Sequence, residues 1–328
     1  VARLVTVSAV ALTLAGLALV SACSQAATTS VSPGESPAPA SSPAAIPSSP
    51  AAAKGAWADQ AVTFRAGGMT VYATYRHLAG ATSARTGRLI PAVVLIPGNG
   101  FTDRNGNTPL FPGSIDEIKA VADWLSADGV ASLRFDRLGS GQTGFGPYAA
   151  SKDTIYGTLP DTPLKPVEQE AAAALKFLAR QRGIDPARLG VFGHSEGALY
   201  ALLLATGADP AGSGQEPLPH VRALGLIEPY HGDWTYNYDP AQMVASLSPG
   251  TPVLVTCSNA DLRVDCPKVS NLRARLAGAG AVIDFVPLTG VDHVLKQDAT
   301  GMPANYTKPL PFSPQLRQAL RSFVRENL

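Results

Sequence analysis

A serine hydroxyl attacks at neutral pH only when a nearby base takes its proton, and that base needs a carboxylate to fix its tautomer and stabilise the cation it becomes. The chain offers residues of each type. Gly193-His194-Ser195-Glu196-Gly197 reads G-x-S-x-G between an apolar run, Leu189 to Phe192, and an Ala/Leu-rich helix expected to begin at Ala198. A strand, a sharp turn and a helix in that order hold a serine at strained backbone angles with its hydroxyl exposed. The flanking glycines remove side chains that would collide with the neighbouring strand and helix. With 31 glycines in 328 residues, the five-residue pattern is weak by itself, and its setting carries the reading.

Five histidines compete for the role of base. His77 ends an early strand, His220 lies in a Pro-rich loop, and His194, beside the serine, is expected to point away from it. His231 follows a strand but precedes any suitable acid. His293, in Gly290-Val291-Asp292-His293-Val294, comes just after the last expected strand and is the expected base. Asp261, in Cys257-Ser258-Asn259-Ala260-Asp261 past a strand ending at Thr256, is the expected carboxylate. Asp265 is its rival, loop capping is its other reading, and Asp292 is set aside because adjacent side chains rarely face one another. An oxyanion formed at this serine would need main-chain donors. The N–H of Glu196 is one, and the loop Pro97-Gly98-Asn99-Gly100-Phe101 supplies the second, with Asn99 the first choice and Gly100 the next. A plain Gly-rich turn is the other reading of that loop.

These residues need a scaffold, and the hydropathy pattern supplies one. Ala61 to Ala66 and Met69 to His77, split by Gly67-Gly68, predict an antiparallel hairpin. Continuous apolar runs at Ala92 to Ile96, Val130 to Phe135, Leu189 to Phe192, Ala223 to Ile227, Pro252 to Thr256 and Val282 to Val286 predict buried strands. Helical spacing falls between them: Ile115, Ile118, Ala122 and Leu125 on one face, Val167, Ala171, Leu175 and Leu178 on another, then Pro267 to Leu276, and Gln315 to Asn327 at the end. Strands alternating with helices predict an α/β fold whose mostly parallel sheet is covered on both faces. Residues 57–328 are long enough to form it as one domain.

Composition narrows the function classes. Twenty-six basic and 25 acidic residues leave a net charge of +1, with no basic footprint for nucleic acid. Gly139-Ser140-Gly141-Gln142-Thr143-Gly144 matches G-x-G-x-x-G, yet Phe145-Gly146-Pro147 cannot continue the helix that would hold a pyrophosphate. Walker A, H-E-x-x-H and S-x-x-K patterns are absent, so the sequence implies neither a metal nor an organic cofactor. Residues 1–23 read as an export signal ending Leu19-Val20-Ser21-Ala22-Cys23, which resembles a bacterial lipoprotein processing site; an ordinary cleaved signal with an incidental cysteine is the other reading. Two acyl chains on Cys23 would hold the protein on the outer side of the cell membrane. Residues 24–56, rich in Pro, Ala and Ser, read as a spacer. In an oxidising compartment Cys257 and Cys266 are expected to pair, closing a loop too short to add much stability but one that brackets Asp261.

With these elements in place the chain resembles the α/β-hydrolases, and within them the bacterial secreted serine esterases, across roughly residues 60 to 325. Pro97-Gly98-Asn99-Gly100-Phe101-Thr102-Asp103-Arg104-Asn105-Gly106 resembles their P-G-x-G-x-x-D-R-[DN]-G segment. Phe135-Asp136-Arg137-Leu138-Gly139-Ser140-Gly141 resembles their D-x-x-G-x-G turn, and Gly290 to Lys296 their histidine loop. The order Ser195, Asp261, His293 is the order that fold carries. Cys257 departs from the pattern, since glycine is common there, as does the short polar stretch Tyr230 to Pro249 where many relatives hold a larger lid. The resemblance implies a serine hydrolase acting on small-molecule esters through an acyl-enzyme. A peptidase or thioesterase of the same fold, or a non-catalytic binding lipoprotein, are the rival expectations. Tyr148 to Pro166 and Tyr230 to Tyr238 are expected to shape the pocket. Expressed in bacteria fed a labelled fatty acid, the full chain should take up label and lose it in Cys23→Ala; an unlabelled wild-type protein would remove the anchor.

Overall fold

Alternation along the strands decides which side chains reach which layer. In the strand β3 (Ile90–Ile96), Ala92, Val94 and Ile96 enter one apolar layer while Val93 and Leu95 enter the other, the two-residue period of a strand buried on both faces. The computed structural model describes residues 56–79, 89–151, 164–207, 217–230 and 240–328. The expected signal, Cys23 and the stretch from Ser24 to Ala53 lie outside the described residues.

The hairpin forms as β1 (Trp57–Ala66) and β2 (Met69–Leu78), turning through Gly67 and Gly68, both at positive φ. The strands β4 (Ala131–Phe135), β5 (Ile184–His194), β6 (Ala223–Ile227), β7 (Pro252–Ser258) and β8 (Val282–Leu288) complete an eight-stranded sheet of order β1-β2-β4-β3-β5-β6-β7-β8. β1 with β2 and β2 with β4 are antiparallel, and every pairing from β4 through β8 is parallel.

Six α-helices are described: α1 (Glu117–Ala127), α2 (Leu164–Ala179), α3 (Gly197–Ala205), α4 (Pro240–Ala245), α5 (Cys266–Gly278) and α6 (Pro314–Asn327). Residues of α2, α3, α4 and α5 pack with one face of the sheet, and those of α1 and α6 with the other. Ile115 departs from its expected place. It precedes α1 and joins Val294 and Tyr306 in a small separate cluster, because Asp116 takes a left-handed conformation and breaks the helical run.

The chain passes from β3 to β4 on one side, then crosses back to place β5 on the other side of β3. The connections that leave β3 and β5 therefore diverge and open a crevice at the carboxyl ends of these strands, the usual ligand position in an open α/β sheet. α3 enters this crevice at very close range. A Cβ on Gly197 would collide with the Ile96 carbonyl oxygen, and one on Gly193 would collide with the Gly197 oxygen. Only glycine fits at either end of the elbow.

Beneath the same edge, Glu170 of α2 is buried and accepts a 3.1 Å hydrogen bond from the Leu138 main-chain N–H. Burial pushes its carboxyl from an ordinary 4.5 up to about 8, with the Arg137 charge acting in the opposite direction and Asp136 reinforcing the rise. A folded-state pKa above the unfolded one means that the native protein keeps a proton the unfolded chain releases, so stability falls as pH rises between those two values. Glu170→Gln should therefore gain stability relative to the wild type between about pH 5 and pH 8 in urea unfolding. A difference that is flat across that range would show that Glu170 ionises normally.

Candidate active site

β5 ends at His194, and Ser195 turns the chain with φ 53° before α3 begins at Gly197. The turn is pinned on both sides: Ser195 N–H donates to Ile227 O at 3.0 Å, and Tyr230 N–H donates to Ser195 O at 3.1 Å. Among the described residues, four non-glycine positions have positive φ: Asp116, Ser195, Glu228 and Leu295. Each lines the pocket that holds Ser195 or stands within two residues of a position that does, as strained positions at working sites commonly do.

His293 comes from the loop after β8. Asp292 shapes that loop by accepting from Lys296 N–H at 2.8 Å, so its carboxyl faces the loop backbone and leaves the imidazole free to turn inward. His293 Nε2 lies 3.1 Å from Ser195 Oγ, and Nδ1 lies 2.7 Å from Asp261 Oδ2. The other Asp261 oxygen accepts from the N–H groups of Arg263 at 2.7 Å and Val264 at 3.2 Å. Cys257 and Cys266 are joined and bracket this acid loop. Asp265 is instead the exposed N-cap of α5.

Burial would raise the Asp261 pKa, but the hydrogen bond and charge of His293 outweigh it and hold the carboxyl below its ordinary value. With Asp261 ionised, Nδ1 carries the proton and Nε2 is free to accept from the serine hydroxyl. Glu228, at the end of β6, is fully buried beside this pair, receiving Thr256 Oγ1–H and Ser258 N–H, each at 2.9 Å. Burial, and then the Asp261 charge, push its pKa up. Asp261 keeps the charge and Glu228 keeps a proton. Sequence reasoning missed Glu228 because nothing in its spacing links it to Asp261.

The loop after β3 carries Gly98, Asn99 and Gly100 to the mouth of the same pocket as Ser195 and His293. Asp103 turns the loop by accepting from Asn105 N–H and Asn107 N–H, and Arg104 grips both oxygens of Asp136 at 2.9 and 2.5 Å. Arg137, 1% exposed, reaches across the crevice. One of its nitrogens donates to Gly98 O, and the other lies 3.4 Å from Glu196 Oε1, which also accepts from Tyr200 at 2.6 Å. The guanidinium stands 5.4 Å from the Tyr200 ring centre. Arg137 thus ties together the two segments expected to supply oxyanion donors, next to Asn99 and at Glu196.

The pocket has a volume of about 460 Å³ and includes Tyr230, Arg263 and Tyr306 at its wall. His194, the last residue of β5, still alternates with the strand, so its ring turns toward the face bearing the His293 loop, where Nε2 donates to His293 O at 2.8 Å. Tyr148 is corrected: its hydroxyl donates to Gly67 O at 3.2 Å, against the hairpin. Residues 152–163 of its segment, and 231–239 with His231, lie outside the described residues. His77 stacks on Tyr75, and His220 is exposed in its loop. Among the described residues no group of three His, Cys, Asp or Glu side chains gathers as a metal site, and no helix is long and apolar enough to cross a membrane.

No protein-family model and no curated protein sequence matches the chain. Solved structures do. Est1E from Butyrivibrio proteoclasticus, solved with ferulic acid, is 15% identical with a TM-score of 0.55, over 81% of this chain and 98% of that one. The chain has the α/β-hydrolase fold. Esterase 2 of Thermogutta terrifontis, phosphorylated by paraoxon, is 13% identical with a TM-score of 0.56, over 80% of this chain and 91% of that one. The dienelactone hydrolase of Anabaena variabilis is 15% identical with a TM-score of 0.52, over 83% and 99%. Ser195, Asp261 and His293 follow β5, β7 and β8 of this sheet in that order.

If Arg137 holds the donor loop and the elbow in register, Arg137→Met should lower kcat on p-nitrophenyl butyrate by about 10- to 100-fold with little change in KM, since misplacing oxyanion donors acts on the transition state. A rise in KM with kcat intact would place its role in substrate binding instead.

Proposed function

We propose that this chain is a serine hydrolase that cleaves carboxylic esters through an acyl-enzyme. The observation that carries the reading is the unbroken chain of hydrogen bonds from Asp261 through His293 to Ser195, opening into a pocket. Ser195 Oγ attacks the ester carbonyl as its proton passes to His293 Nε2. The oxyanion is held by the Glu196 N–H with that of Asn99, Gly100 being the alternative second donor. Collapse expels the alcohol, which takes the proton from Nε2, and water repeats the sequence on the acyl-enzyme. Each proton moves between substrate and groups of this chain. Asp261 stays ionised throughout, stabilising the imidazolium.

An ester substrate is in keeping with the esterases among the structural neighbours, which also include a dipeptidyl peptidase, and the 460 Å³ pocket accommodates a small one. Export and lipid attachment at Cys23 are part of the same proposal, resting on the sequence features of residues 1–23. Ser195→Ala should reduce p-nitrophenyl butyrate hydrolysis on the order of a thousandfold or more and abolish labelling by a fluorophosphonate probe. A variant with near wild-type turnover, or a wild-type protein that the probe leaves unlabelled, would overturn the assignment.

A further inference from the structure

A second cavity, of about 410 Å³, adjoins the pocket that holds Ser195, and Phe101 and Thr108 line both. Phe101 directly follows Asn99 and Gly100, so the loop that carries the proposed oxyanion donors also forms the boundary between the two spaces. Phe145 lines the second cavity and not the first. The two rings meet edge to face, with centres 5.5 Å apart and planes at 76°, an arrangement aromatic pairs favour. Both are only half-buried, so apolar ring surface remains open to the cavity.

The glycine run that matches a dinucleotide fingerprint serves this ring pair. A Cβ on Gly139 would come within 2.7 Å of Phe101 Cδ1 and 2.9 Å of Phe145 Cε1, so the bare glycine lets both rings close on the turn. The polar groups around the cavity are engaged within the protein. Asp103 accepts from Asn105 N–H at 2.8 Å and Asn107 N–H at 2.9 Å, and Asn107 Oδ1 accepts from Ile115 N–H at 2.6 Å. The Ser140 hydroxyl faces the carbonyl oxygens of Thr102 and Arg137, each at 2.8 Å. Among the described residues no lysine or arginine lines the cavity, and the Asp103 carboxyl repels an anion. Two phenyl rings and Pro109 are what it offers a ligand, a surface suited to a neutral aromatic group.

We propose that this cavity is a subsite for a neutral aromatic ring carried by the ester, packed against Phe145 and Phe101 while the carbonyl lies at Ser195. The inference rests on the esterase reading and adds a substrate class to it. Burial of the ring and its contact with two others favour such an ester over one too short to pass Phe101. The same contacts serve a ring on the acyl side or on the alcohol side, and substrates of each kind separate the two.

The deciding measurement is kcat/KM for ethyl butanoate, ethyl 4-phenylbutanoate and 2-phenylethyl butanoate on the wild type, Phe145→Ala and Phe145→Leu. Each phenyl ester adds a ring to the parent at the end of one chain, remote from the carbonyl, so intrinsic reactivity is matched. The wild type should favour at least one of them over ethyl butanoate by about tenfold or more, the scale of burying a ring against an apolar wall. Phe145→Ala should cut that ratio about three- to tenfold and leave ethyl butanoate turnover unchanged, since Phe145 stands outside the Ser195 pocket. Phe145→Leu, which keeps apolar bulk against the core, should cut the ratio in the same direction and serves if the alanine variant fails to fold. The ester whose ratio falls identifies the side that carries the ring. A wild type that favours neither phenyl ester, a ratio unchanged by loss of the Phe145 ring, or an equal fall for all three esters would overturn the subsite. In each case fluorophosphonate labelling of the wild type would leave the esterase reading standing. Absence of that labelling together with absence of hydrolysis of all three esters would overturn both.

Discussion

Everything at the crevice depends on how closely the end of β5 and the start of α3 approach β3. The Gly197 Cα sits against the Ile96 carbonyl with no room for a side-chain carbon. That contact forces the chain to turn within two residues, and the turn places Ser195 in the left-handed region. A looser approach would let the turn widen into an ordinary loop, and the serine hydroxyl would lose its fixed direction toward His293. Arg137 adds a polar tie across the same gap, so packing and hydrogen bonding constrain one geometry.

Around this point the protein buries more carboxyl groups than it can afford to ionise. Glu117, Glu170 and Glu228 are all shifted upward by burial, whereas Asp261 is shifted downward because the imidazole faces it. Desolvation penalises each charge, and only the one with a titrating partner escapes. The consequence for the proposed chemistry is a single negative charge aligned with the His293 ring. A second ionised carboxylate at Glu228 would compete for the same imidazolium and blur its direction.

Much of this was legible in the sequence because it depends on short-range pattern. Continuous apolar runs located the parallel strands, and a serine between glycines, followed by an acid and a histidine in post-strand loops, located residues that the fold then brings within hydrogen-bond reach. The unread parts arise from contacts between distant segments. Glu117 meets His194, Arg137 meets Gly98 and Glu196, and Glu228 lies beside Asp261, none of which leaves a trace in spacing. The helix α4 escaped notice because six residues are too few to establish a helical period.

The left-handed residues at Asp116, Ser195, Glu228 and Leu295 carry a further consequence. Each bears a side chain where glycine would relax the backbone by roughly 1 kcal/mol, and each lies in the pocket wall or within two residues of it. The fold is therefore held below the stability its backbone would permit, at the positions where relaxation would loosen the site. Consensus-style stabilisation of this protein has room on the outer helices and the hairpin, but at these four positions robustness and reactivity draw on the same backbone torsions.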